Sequence, residues 1–115
     1  KNYFVFDMAV PDGLVYCQQQ FRCYTRQSEY EPIPAYYEQA CGVCLDEFIE
    51  HWITDDVIEQ HLDYQKSVCV VSPDLHKRNY RNEWAHYKCL ESRIGKDRLM
   101  LCTDYPIQAQ EFFNA

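Results

Sequence analysis

Five apolar stretches of this chain run directly into side chains that move protons or meet charge. The endings are Phe6-Asp7-Met8, Thr25-Arg26-Gln27-Ser28-Glu29, Leu45-Asp46-Glu47-Phe48, Val71-Ser72-Pro73-Asp74-Leu75-His76 and Cys102-Thr103-Asp104-Tyr105-Pro106. Carboxylates and histidines are the groups proteins use for general acid–base work, and arginine presents a planar fork to anions. Asp, Arg with Glu, Asp, Ser with His, and Asp on one rim would form a polar mouth. A second reading stands beside this one. Asp7, Asp46 and Asp104 each precede a possible helix start, where an aspartate caps exposed backbone N–H groups.

The elements that must carry these residues follow from the apolar pattern. Tyr3–Phe6, Arg22–Thr25, Gly42–Leu45, Ser67–Val71 and Arg98–Cys102 read as short strands. Their apolar character is continuous, as in parallel strands covered on both faces. Helices are predicted between them. One is capped by Thr54 and ends near Gln65, with Val57, Ile58 and Leu62 facing in. Another runs from about Tyr80 to Leu90 with Trp84, Tyr87 and Cys89 or Leu90 inward, and the last follows Pro106 and carries Ile107, Ala109, Phe112 and Phe113. Weaker helical turns follow Pro11 and Pro34. Strands recurring every 20–30 residues or so, with helices between, give a repeated βα architecture of α/β class. In such folds active sites lie at the carboxyl ends of the strands.

Composition excludes several functions. The chain has 115 residues, of which 47% are hydrophobic and 25% charged, the balance of a folded soluble domain. A net charge of −7 repels polyanions, so nucleic acid is not an expected partner. No apolar run approaches the ~20 residues of a membrane helix. The seven cysteines are odd in number, and several sit within apolar runs, which reads as reduced core thiols in a cytoplasmic setting. Cys41 and Cys44 have C-x-x-C spacing without a partner pair, so structural thiols are expected there. His51, His61 and His86 are expected in surface or packing roles, and the Lys77-Arg78-Arg81 cluster as a solvated helix start.

The same five strand ends, in this order, resemble the C-terminal part of bacterial glycerophosphodiester phosphodiesterase-like proteins, which belong to the PLC-like phosphodiesterase TIM barrels. Thr103-Asp104-Tyr105-Pro106 matches the last barrel strand of that broader family, and the resemblance covers essentially the whole chain. It departs at Ala9, where a serine is usual, and at Cys44, where an aromatic is. The resemblance implies that residues 1–115 are one partial domain comprising strands four to eight of a (β/α)8 barrel. Strands one to three would lie in roughly 130 further residues of a barrel of about 250. It also implies a metal-dependent phosphodiester hydrolase using Mg²⁺ or Ca²⁺, and a small phosphodiester or polyol-phosphate substrate. Under it Asp7 is the metal-ligand candidate, and Arg26, Glu29, Asp46, Ser72 and His76 are substrate-side candidates. The family's acid–base histidines belong to a His-Arg-Gly segment and a following motif, neither of which this chain contains. No catalytic residue is therefore assigned, and the 115 residues alone are expected to have negligible hydrolase activity. The open sheet edges are expected to be covered by the missing N-terminal half or by a second copy. The alternative is a polyol- or carbohydrate-binding or interaction module that kept the barrel without its chemistry.

Overall fold

The computed structural model describes residues 23–95 and 98–115. The expected strand Tyr3–Phe6 and the candidate ligand Asp7 lie outside the described residues. The other four apolar runs are strands: β1 (Tyr24–Gln27), β2 (Gly42–Leu45), β3 (Ser67–Val71) and β4 (Leu99–Cys102). All pair in parallel, in the order β1-β2-β3-β4. The central strands are the most buried: every residue of β2 is buried, as are Val68, Cys69, Val70 and Val71 of β3. Covering on both faces is what their unbroken apolar runs require.

β1 lies two residues later than the sequence predicts, Tyr24–Gln27 instead of Arg22–Thr25. Tyr24 pairs with Gly42, and the ladder continues through Arg26 opposite Cys44 to Gln27 opposite Leu45. Gly42 fixes this register. A Cβ there would stand 2.6 Å from the Tyr24 ring and 2.7 Å from the Ser67 carbonyl oxygen, closer than any side chain can approach. Arg26 is consequently a strand residue.

Three helices are present among the described residues: α1 (Asp55–Asp63), α2 (Arg81–Ile94) and α3 (Pro106–Asn114), with a 3₁₀ turn at Pro73–His76. α1 begins as the sequence predicts, with the Thr54 hydroxyl accepting from Val57 N and Asp55 and Asp56 in the first turn. α2 extends four residues past its expected end and stops at Gly95, whose φ of 106° suits glycine. Its buried residues Glu83, Trp84, Tyr87 and Leu90 form one stripe. Cys89 is exposed, which settles the inward position in favour of Leu90. In α3 Ala109 is buried and both Phe112 and Phe113 pack near Trp84, whereas Ile107 is exposed. After Pro34 the chain forms an isolated turn, in which Ala40 N–H donates to Tyr36 O at 3.0 Å and Tyr36 has a φ of 40°; the turn expected after Pro11 lies outside the described residues.

Side-chain alternation divides the sheet into two unlike faces. Val43, Leu45, Val68 and Val70 point one way and form a core with Ile58 of α1, Tyr87 and Leu90 of α2 and Phe113 of α3. Tyr24, Cys44, Cys69 and Val71 point the other way, packed with Cys41, Leu75 and Cys102. One face is thus aliphatic and helix-covered, and the other is rich in thiols.

Candidate active site

The alternation that sorts the core also sorts the residues just past the strands. Arg26 and Asp46 continue the phase of Tyr24 and Cys44 and emerge on the thiol face at the carboxyl rim. Asp46 is buried, and its Oδ1 receives a 2.7 Å hydrogen bond from His76 Nε2. That contact places the ring proton on Nε2 and leaves the lone pair of the neutral imidazole on Nδ1, which has no partner among the described residues. The histidine arrives by way of the 3₁₀ turn, which starts at Pro73 and ends where Lys77 takes the left-handed conformation at φ 59°. Asp46 caps no helix, since α1 begins nine residues later.

Phe48 brings Arg26 to the same place. Its ring centroid lies 4.4 Å from that of His76 and 5.7 Å from the Arg26 guanidinium carbon. Arg26 Nε also donates to Glu31 Oε1 at 2.8 Å. Phe48 is held by Glu29, whose carboxylate accepts from the backbone N–H of Phe48 (2.9 Å), Ile49 (2.8 Å) and Glu50 (3.1 Å). Burial pushes the Glu29 carboxyl up, but these backbone donors outweigh it and bring its pKa down to about 2. Glu29 therefore clamps a loop. Ser72 is fully buried and accepts from Trp84 Nε1 at 2.8 Å, so it serves the packing of α2 and is not brought to the rim cluster. Asp74 accepts from Thr103 Oγ1 and from Asp104 N, tying the third and fourth rim loops together.

One residue after Asp46, Glu47 points to the helix face and builds a second cluster. Its Oε2 accepts from His51 Nδ1 (2.6 Å), Trp52 N (2.9 Å) and Ile53 N (3.1 Å). Glu83 of α2 lies against it, pairs with Arg78 at 3.1 Å, and has its pKa pushed up to about 8 by burial and by Glu47. From His51 the contacts continue outward, His51 Nε2 to His86 Nδ1 at 3.0 Å and His86 Nε2 to Asp55 Oδ1. Burial, opposed by Glu83 and reinforced by His86 and Arg78, holds the His51 pKa below its ordinary value. The Glu47–His51 contact spans four residues of a loop, where that spacing encodes no contact, and from sequence His51 is expected only in a surface or packing role. Glu83 carries no signal either, because helix glutamates are ordinarily exposed.

Glu47, His51 and Glu83 each offer a ligand atom, all within 4.8 Å of one another. They do not fit Mg²⁺ or Ca²⁺, which take oxygen ligands and, for Mg²⁺, retain several waters. One donor is an imidazole, Glu47 Oε2 already serves three donors, and the Arg78 guanidinium stands 3.1 Å from Glu83 and 3.8 Å from Glu47. The rim carboxylates Glu29, Asp46 and Asp74 are likewise engaged by protein donors.

The remaining sequence features are structural. Cys41 Sγ donates to Cys23 O, and Cys44, buried on β2, lies opposite Cys69 of β3. His61 is buried with both nitrogens engaged, by Tyr37 Oη at 2.7 Å and Gln27 Oε1 at 2.8 Å. A cleft of about 400 Å³ lined by Tyr24, Lys66, Arg98 and Met100 opens at the opposite, amino end of the strands. It contains no acid–base pair. No helix among the described residues is long and apolar enough to cross a membrane.

The fold and rim define an α/β protein with a parallel four-stranded sheet and polar groups at its carboxyl edge. The chain matches no protein-family model, and no curated protein or solved structure is significantly similar to it.

Proposed function

We propose that the carboxyl rim is the substrate-side portion of a phosphodiester hydrolase site, with His76 moving the proton and Arg26 holding the phosphate. The observation that carries this reading is the convergence of Arg26 and the Asp46-backed His76 on the single ring of Phe48. A phosphodiester presents one negative charge between two alcohol groups. An arginine fork suits the charge, an aromatic face suits an alcohol moiety, and a histidine with a committed tautomer suits the proton. With Nε2–H engaged by Asp46, Nδ1 takes a proton from the attacking water as the new P–O bond forms. It returns that proton to the departing alkoxide as the old P–O bond breaks. Asp46 stabilises the imidazolium between the two events.

The barrel reading belongs with this proposal. A strand order that never reverses, with every described helix packed on one face, is what successive βα units of a barrel require, whereas doubly wound sheets reverse at a switch point. The engagement of Glu29, Asp46 and Asp74 by protein donors favours the second reading, a polyol- or carbohydrate-binding or interaction module without hydrolytic chemistry.

Titration of the chain with glycerophosphocholine, followed by NMR at Arg26, Phe48 and His76, separates these outcomes when bis-p-nitrophenyl phosphate turnover is assayed in parallel with and without Mg²⁺ or Ca²⁺. Saturable shifts at the three residues with turnover support the hydrolase. Saturable shifts without turnover, which the 115 residues alone are expected to give, support a phosphodiester-binding rim common to both readings, and unchanged signals at all three overturn both.

A further inference from the structure

Glu47 and Glu83 meet from two elements, the loop after β2 and the first turn of α2, and are 0% and 6% exposed. Their outer oxygens are well served: Glu47 Oε2 by His51, Trp52 and Ile53, and Glu83 Oε1 by Arg78. Glu47 Oε1 and Glu83 Oε2 have no hydrogen-bond partner among the described residues. Two ionised carboxylates here would leave two buried acceptors unmatched and two like charges in contact. One proton carried by Glu83 Oε2 and donated to Glu47 Oε1 removes both problems together.

Arg78 connects this pair to the rim. It follows His76 by two residues, donates Nη2 to Glu83 Oε1 and donates Nη1 to the backbone carbonyl of Glu47 at 3.1 Å. Glu47 in turn follows Asp46. The guanidinium thus spans the chain segments that bear His76 and Asp46, and Glu83 aims it.

We propose that Glu47 and Glu83 form a carboxyl–carboxylate pair sharing one proton, and that Glu83 is thereby a positioning residue that sets, through Arg78, the contact between Asp46 and His76. The functional meaning of that contact rests on the rim reading above. The pair itself does not.

The groups facing Glu83 are Glu47 and His51 from the loop after β2, Arg78 from the segment after the 3₁₀ turn, and Tyr87 of its own helix, with Asp55 of α1 reached through His86. Burial and Glu47 raise the Glu83 pKa to about 8, against the opposing pull of His51 and Arg78. The folded chain then keeps a proton that the unfolded chain releases near 4.5. The stabilising contribution is complete below that lower value, declines as pH rises, and is gone above about 8.

The test is carboxyl ¹³C NMR of the full chain across this range, with the His76 ring signals followed in the same samples. The expected result is one glutamate carboxyl titrating near pH 8 and a His76 shift in the same step. Glu83→Gln, whose amide can donate to Glu47 in place of the proton, removes the step and leaves His76 in its low-pH position. Glu83→Ala leaves His76 in its high-pH position throughout; should that variant not fold, the wild type and Glu83→Gln decide the matter. Titration of every glutamate below pH 6 overturns the shared proton. A step near pH 8 without a His76 response overturns the positioning role, as does a Glu83→Gln variant with His76 in its high-pH position. Failure of the rim reading would show instead in the ligand titration.

Discussion

Asp46 and Glu47 are adjacent acids at the end of one strand, yet they work under opposite conditions. Asp46 meets a half-exposed histidine on the thiol face through one side-chain contact of 2.7 Å. Glu47 is sealed on the helix face, where an imidazole, two backbone N–H groups and a neighbouring carboxyl surround it. The pleat alone sends them apart. A carboxylate with a single side-chain tie orients its partner, whereas a sealed carboxylate with many ties fixes backbone. On the proposed reading, the difference between a reactive site and a structural one is a single step along the chain.

Removing Glu47 tests the sealed side most severely. Glu47→Ala strips the acceptor from three donors and leaves Arg78 beside a single carboxyl, so a loss of about 3–5 kcal/mol is expected in urea unfolding. A loss under about 1 kcal/mol would erase the contrast with Asp46. Gly42→Ala probes the close approach that sets the register beneath both acids, and overpacking against Tyr24 and the Ser67 carbonyl should cost about 1–3 kcal/mol. Thermal unfolding measures it.

Glu29 sharpens the comparison from a third position, as a carboxylate tied only to backbone. Glu29→Gln should cost about 1–2 kcal/mol at neutral pH. Because the folded carboxyl titrates near 2 and the unfolded one near 4.5, its contribution is present above the unfolded value and fades as pH falls toward 2. The wild-type advantage should therefore close over that acid window in urea titrations at stepped pH. Asp46→Asn should change stability least, by under about 1 kcal/mol, since the asparagine amide oxygen can still accept from His76 Nε2. Its effect belongs to chemistry, with turnover down roughly a hundredfold or more if His76 moves the proton. Equal losses of stability in Asp46→Asn and Glu47→Ala would show that both clusters are structural.

Most of the fold is legible in the amino-acid sequence because buried parallel strands have unbroken apolar runs. Gly42–Leu45 and Ser67–Val71 coincide with their observed spans. β1 slips by two because Arg22 and Arg26 flank its apolar centre equally, and only the seat of Tyr24 on Gly42 decides between them. Arg26, Asp46 and His76 stand out as strand-end residues and do converge. Ser72 stands out for the same reason but faces Trp84, since one residue past a strand end can lie on either face. The Glu47–Glu83 contact joins residues 36 positions apart across a loop and a helix, and no local pattern encodes that distance.

Glu29 offers one acceptor group to three consecutive amides of the loop that carries Phe48. Phe48, Ile49 and Glu50 are consequently not three separate protections against solvent but one. In heavy water their amide protons should be lost together, at a common rate set by the release of a single carboxylate, and that rate would measure how often the aromatic wall of the rim comes loose.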